Sequence, residues 1–303
     1  MAEKTVSERK KGSLKAKRAL IGYSFIAPNF LGFAIFILVP VLFTLILGVM
    51  DWDGFNAMTF AGLDNFRAIF KDRVFKSAFW LTLLYVVCAV LFTLVASLGL
   101  ACALNKKIKG RDAFRSAIFF PYVASMIAIG AVWKQLFEAN YGPINHLLRS
   151  IGISNPPGWF ASTDAAIWGV IIVSVWKFMG YYMLIYLAGL QDIPNQLYEA
   201  ATLDGASGWQ RFTKITFPML TPSTFFVFMM LTINSFKSFD LIYALTQGGP
   251  GTSTTLLANY IYNQTFIYWD YGKSAAASII LFLMVLMVTI IQFRGEKKFT
   301  DYL

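Results

Sequence analysis

The residues able to do chemistry gather in one stretch, 191–218, with the sequence QDIPNQLYEAATLDGASGWQRFTKITFP, set between two apolar runs. Pro194 and Asn195 open a helix there, Leu197 to Leu203 fill it, and Asp204-Gly205 ends it. Ser207 then caps a second short helix, with Gln210 three residues on in capping-box position. Ala200 and Ala201 are too small to anchor a core. On an exposed helix they permit close approach of another surface, while Glu199 offers it a charge. Pro218 breaks the backbone where the next apolar run begins. Read from the residues alone, the stretch is either an ordinary linker between helices or a docking element.

Catalytic chemistry has little to draw on. His146 is the single histidine, and Cys88 and Cys102 lie together in one apolar run with no CxxC, zinc or disulfide spacing. Gly272-Lys273-Ser274 imitates the end of a phosphate-binding loop, but the glycine required five residues earlier is Ile267. No HExxH, paired-Asp motif or GxSxG is present. The expectation is no catalytic residue, no metal and no cofactor bound by this chain.

Three ionisable residues fall inside apolar runs: Lys177, Lys237 and Asp240. In a bilayer such groups cost about 2.5–3.5 kcal/mol on insertion scales and face partners or aqueous cavities. Lys237 and Asp240 are spaced i, i+3, which predicts a pair on one helical face. That pair either ties helices together or walls a polar path. Trp176, Tyr181, Tyr182, Asn234 and Phe236 supply aromatic faces and hydrogen-bonding groups to such a path. Aromatics make up 17% of the chain, so most of these rings simply pack.

The elements that must position these residues are membrane helices. Of 303 residues, 57% are hydrophobic and only 14% charged, against about 25% charged in soluble domains. A bilayer core takes about 20 mainly apolar residues per helix. Six such spans are predicted, at about 22–50, 77–104, 116–135, 165–190, 218–245 and 274–293. They form an all-α polytopic domain over 19–293, with the loop 191–218 between spans four and five. Residues 1–18 form a basic N-terminal segment and 294–303 a C-terminal one. The first apolar run exceeds the 7–15 residues of a cleaved signal and is read as a retained helix, with Pro28 and Pro40 expected to break or kink it.

The net charge of +10 is distributed as topology signals rather than as a nucleic-acid groove. Lys4, Arg9, Lys10, Lys11, Lys15, Lys17, Arg18, Lys106, Lys107, Lys109, Arg111, Arg115, Arg211, Lys214, Arg294, Lys297 and Lys298 fall on one side. The other side has only Arg67, Lys71, Arg73, Lys76, Arg149 and Lys273. Basic residues favour the cytoplasm, so both termini are expected there.

At Glu199-Ala200-Ala201, Asp204-Gly205-Ala206, Ile215 and Phe217-Pro218 the sequence resembles the EAA loop of ABC importer permeases. Gly205, Ile215 and Pro218 stand in register with that pattern, and Phe217 replaces its usual leucine. Trp176-Lys177 with Gly180, Ala188-Gly189-Leu190-Gln191, Phe239-Asp240, Thr246 to Pro250 and Gly272 to Ser278 are similar to the sugar-importer branch. The resemblance implies a type I importer permease fold in a plasma or inner membrane. It implies a coupling loop that docks on a cytoplasmic ATPase dimer using ATP with Mg, and a second related permease forming a heterodimer. It also implies an extracytoplasmic solute-binding protein and a di- or oligosaccharide as substrate, with a polyol phosphate as the alternative. An ion-driven secondary transporter would instead need a carboxylate-rich interior and inverted repeats. Asp240 is the only carboxylate within a predicted span.

Overall fold

The computed structural model describes residues 2–106 and 108–300, and side chains over 18–106 and 108–295. Lys107 and residues 301–303 lie outside the described residues, as do the side chains of the basic residues before Arg18 and after Gly295.

The first span is one continuous rod. Helix α1 (Ala2–Phe33) passes through a π turn (Ala34–Leu38) into α2 (Val39–Leu47). The expected break does not occur: Pro28 sits inside α1, and the π turn stands just ahead of Pro40. A proline ring collides with the carbonyl four residues back and has no N–H to give it. Widening the turn, so that the Val39 N–H reaches the carbonyl of Ala34, shifts those carbonyls away. From Arg18 onward most side chains of this rod are exposed, among them Phe25 and Phe36. Such a surface suits lipid rather than water.

A two-stranded hairpin, β1 (Met50–Asp51) with β2 (Thr59–Phe60), follows, then α3 (Asp64–Lys71). Buried Asn65 of α3 donates to the carbonyls of Gly48 and Met50, fastening the end of the first span. The second span is α4 (Arg73–Leu104), capped by Asp72, whose carboxylate accepts from the Val74 N–H.

The third span is not a single rod over 116–135. It is α5 (Arg111–Val123) and α6 (Met126–Leu136), bent by 102° where Ala124 and Ser125 adopt extended backbone. After α7 (Pro143–Ser150) comes the fourth span, α8 (Ala166–Gln191), which lies along α4 and makes the main core with it. Tyr85, Val170, Ile171, Met183 and Tyr186 fill that interface.

Beyond α8 come α9 (Asn195–Leu203), α10 (Gly208–Arg211), a second π turn (Phe212–Thr216) and α11 (Phe217–Met219), then α12 (Thr221–Phe236) and α13 (Asp240–Leu245). The π turn again precedes a proline by two residues, here Pro218, with the Phe217 N–H reaching Phe212. The chain bends by 65° entering α12, at Leu220. The fifth span also ends sooner than expected. Helix stops at Phe236, residues 237–239 leave helical geometry, and α13 starts after Phe239 (φ −123°, ψ −55°). Helices α14 (Leu257–Phe266) and α15 (Tyr271–Thr300) complete the chain.

Among the described residues four helices are long and apolar enough to cross a membrane, and the number reaches six if each bent pair is one span. The all-α class and the six expected apolar segments therefore stand, with two of them broken.

Candidate functional site

Two sites emerge, one at each kind of break. The first is the elbow α9–α10. Helix α9 ends in a Schellman motif: the Ala206 N–H reaches the Ala201 carbonyl at 2.9 Å and the Gly205 N–H reaches that of Thr202 at 3.1 Å. Gly205 takes φ +75°, left-handed backbone that side chains with a Cβ adopt at a cost of about 1–2 kcal/mol. Ala201 and Ala206 are the positions this motif brings into contact, so their small size fits the turn as well as a partner.

Ser207 begins α10 with the full capping box: its hydroxyl accepts from the Gln210 N–H, and the Gln210 side-chain oxygen accepts from the Ser207 N–H. Two bonds lock the elbow. Arg211 donates to the Thr202 hydroxyl at 3.1 Å, and the hydroxyls of Tyr198 and Thr216 share a bond of 2.9 Å. Ile215 packs against the main core, so the elbow is anchored to the helices. Pro218 lies inside the short α11 and is half-buried.

Glu199, Ala200, Asp204 and Gly205 are exposed, and no cation stands within ion-pairing reach of Glu199 among the described residues. The structure adds two residues that the sequence reading missed. Leu203 is 90% exposed and Trp209 73% exposed, the latter stacked on Phe212. Leu203 shares a surface hollow with Glu199, Tyr198 and Thr202, and Trp209 is exposed on the next helix. The signal was legible: a leucine ends α9 immediately before Asp204-Gly205, and a tryptophan sits within the first turn of α10.

The second site is a cavity of about 340 Å³ between α4, α5, α8 and α12. Tyr85, Tyr122, Tyr182, Asn234, Lys237 and Asp240 line it, with Met126 and Phe239. Asn234 donates to the Tyr182 hydroxyl at 3.4 Å. The Tyr85 hydroxyl bonds Ser174 at 2.9 Å and donates to Ser238 at 3.2 Å, pinning the break after α12. The cavity thus offers hydroxyl, amide, ammonium and carboxylate groups beside aromatic faces.

Of the sequence-predicted pathway residues, Tyr182, Asn234, Lys237 and Asp240 meet at this cavity, while four do not line it. Phe236 is 1% exposed in the core. Trp176 packs edge-on against Trp133 at 5.2 Å, and Tyr181 stacks on Tyr122 at 4.4 Å. Lys177 is buried and donates to three backbone carbonyls instead. The expected Lys237–Asp240 pair is absent among the described residues, because the helix that would align them ends at Phe236. Lys273 of the Gly-Lys-Ser tripeptide pairs with Asp270 at 2.7 Å at the start of α15.

Residues 95–301 match the family described as "Binding-protein-dependent transport system inner membrane component". The probable ABC transporter permease protein YesP of Bacillus subtilis is 36% identical over 297 residues, 97% of this chain and 96% of that one. The trehalose/maltose transport system permease protein MalF of Thermococcus litoralis is 34% identical over 279 residues, 92% of this chain and 94% of that one. Among solved structures, a chain of a bacterial ABC transporter involved in the import of the acidic polysaccharide alginate superposes with a TM-score of 0.81. It is 24% identical and covers 94% of this chain and 97% of its own, a likeness of fold.

Proposed function

The chain belongs to the family of binding-protein-dependent transport system inner membrane components, and from that membership we propose that it is one permease subunit of an ATP-driven importer for a di- or oligosaccharide. The observation that carries the coupling half of this reading is the locked elbow. It presents Glu199, Ala200, Leu203 and Trp209 outward while Tyr198, Thr216 and Ile215 fasten it to the fifth span. A rigid knob with a charged and an apolar edge suits a cleft on another protein, and its rigidity lets a push on the knob move the helix behind it.

In this reading the elbow faces the cytoplasm, as do both termini, in line with the crowding of basic residues on that side. The partner there is an ATPase dimer, which binds ATP with Mg; this chain contributes no nucleotide site. A second, related permease forms the other half of the path, and a solute-binding protein delivers substrate on the opposite side. The 340 Å³ cavity is this subunit's share of the path. Its polar and aromatic lining suits sugar hydroxyls and apolar ring faces, and the substrates named for the MalF relative support carbohydrate.

The test is purification of the tagged chain from its native membrane with mass spectrometry of what accompanies it, wild type beside Glu199→Lys with Gly205→Trp. Wild type is expected to bring a second permease and an ATPase, and the double variant to lose the ATPase. Absence of an ATPase from both would reduce the elbow to a linker. For the substrate, uptake competed by maltose or trehalose and not by glycerol phosphate supports the sugar reading. The reverse pattern replaces it with a polyol phosphate.

A further inference from the structure

The break between α5 and α6 leaves backbone groups that a membrane interior cannot satisfy. Helix α5 ends at Val123, and only the Phe120 carbonyl among its last four finds the next residues' N–H, from Ala124 at 3.2 Å. Ser125 then accepts the first hydrogen bond of α6, from Ile129. The carbonyls of Pro121, Tyr122, Val123 and Ala124 are left over. Water is scarce at membrane depth, so such groups call for a protein donor.

The donor to three of them, those of Pro121, Tyr122 and Ala124, is Lys177 of α8. Its Nζ lies 3.0 Å from the Pro121 oxygen, 3.3 Å from that of Tyr122 and 3.1 Å from that of Ala124. An ammonium has three N–H groups and no acceptor, so three carbonyls match its whole capacity. The positive charge also stands at the C-terminal, electronegative end of α5. Among the described residues no carboxylate pairs with it, so the carbonyls are its partners.

The approach that makes this reach possible is written one turn along the same face. A Cβ placed on Gly180 would sit 2.0 Å from the Ile118 oxygen, so only glycine lets the α5 backbone lie this close to α8. Lys177 and Gly180 are spaced i, i+3 and act together: one sets the distance between the helices, the other fills the break.

We infer that Lys177 is the positioning residue of the third span: it holds the bend at Ala124–Ser125 and thereby fixes Tyr122 and Met126 in the cavity wall. Tyr122 and Met126 lie on either side of the bend and both line the cavity, whereas Lys177 does not. With its three donors engaged, it has none to offer a sugar hydroxyl. The inference rests on the membrane reading of the chain and is independent of the substrate and of the ATPase.

Its test measures the bend directly. In the full chain in lipid nanodiscs, with Cys88→Ala and Cys102→Ala, spin labels at Ile127→Cys in α6 and Ile172→Cys in α8 report the angle. A reference pair, Leu91→Cys in α4 with Ile172→Cys, reports the main core; all three sites are exposed. Lys177→Met keeps the length and removes the donors. It is expected to lose the narrow α6–α8 distance distribution while the reference pair keeps its own. Lys177→Arg, which retains donors, is expected to keep both. An α6–α8 distance unchanged in Lys177→Met overturns the inference, as does broadening of both pairs together. An Arg variant as displaced as Met overturns it as well. Where Lys177→Met yields no folded chain, Lys177→Gln is read by the same two pairs, with loss of the α6–α8 distance alone as the supporting result.

Discussion

The hydroxyls of Tyr198 and Thr216 stand 2.9 Å apart, joining the helix that carries Glu199 to the π turn that leads into the fifth span. With this bond the exposed knob and the membrane helix form one lever. Tyr198→Phe removes it at a cost of about 1 kcal/mol, too little to unfold the chain. In the assembled importer the variant is expected to hydrolyse more ATP per sugar imported, because part of the knob's motion is lost in the loosened joint. Parallel measurement of uptake and hydrolysis checks this, and an unchanged ratio would mean that the bond transmits nothing.

Gly205 makes a different demand, on the backbone itself. Its φ of +75° closes the Schellman turn that sets the angle between α9 and α10. Gly205→Ala is expected to destabilise the elbow by about 1–2 kcal/mol, whereas Gly205→Asn, a residue that visits left-handed backbone more readily, loses less. The readout is the amount of ATPase retained on purification, ranked glycine, asparagine, alanine. Equal retention by all three would sink the argument from geometry.

Leu203 and Trp209 are exposed apolar residues on the two helices of the elbow. Replacing exposed residues rarely shifts stability beyond about 0.5 kcal/mol, so Leu203→Glu and Trp209→Glu should fold as wild type does. A tryptophan buried on binding commonly contributes 2 kcal/mol or more to an interface, equivalent to more than a tenfold change in affinity. Titration of the purified ATPase against the reconstituted chain is expected to show that loss for Trp209→Glu. Unaltered affinity in both variants would place the docking surface elsewhere.

How far the sequence reaches depends on the range of the interaction that decides each feature. The elbow was legible nearly residue by residue because its determinants are local: Pro194, Asp204-Gly205 and the Ser207/Gln210 capping box act within one turn. The spans were legible as apolar runs, since burial in lipid depends on composition. Their breaks were not. Pro40 suggests a break, yet helix continues past it through a π turn; the sharp bend falls instead at Ala124–Ser125. What stabilises that bend is Lys177, more than fifty residues away in sequence, and no local pattern carries such a pairing. The same holds for Phe236, whose aromatic ring reads as a sugar platform until packing buries it.

Lys237 and Asp240 give the sharpest case where spacing and structure part. Three residues apart on a continuous helix, they would face each other and pair. The helix instead ends at Phe236, Lys237 becomes its cap, and Asp240 opens α13, where a carboxylate is favoured by the helix N-terminus. Both side chains line the cavity, yet no ion pair joins them. Because no ion pair joins them, each charge meets a sugar hydroxyl on its own. Asp240→Asn and Lys237→Met are each expected to raise the KM for sugar uptake, and about tenfold is reasonable where a charged hydrogen bond to a hydroxyl is lost. The exchange variant Lys237→Asp with Asp240→Lys is then expected to be as impaired as the two single losses combined. Recovery of uptake by the exchange would show that the pair does form during transport, with the helix running unbroken from 236 to 240 in that state.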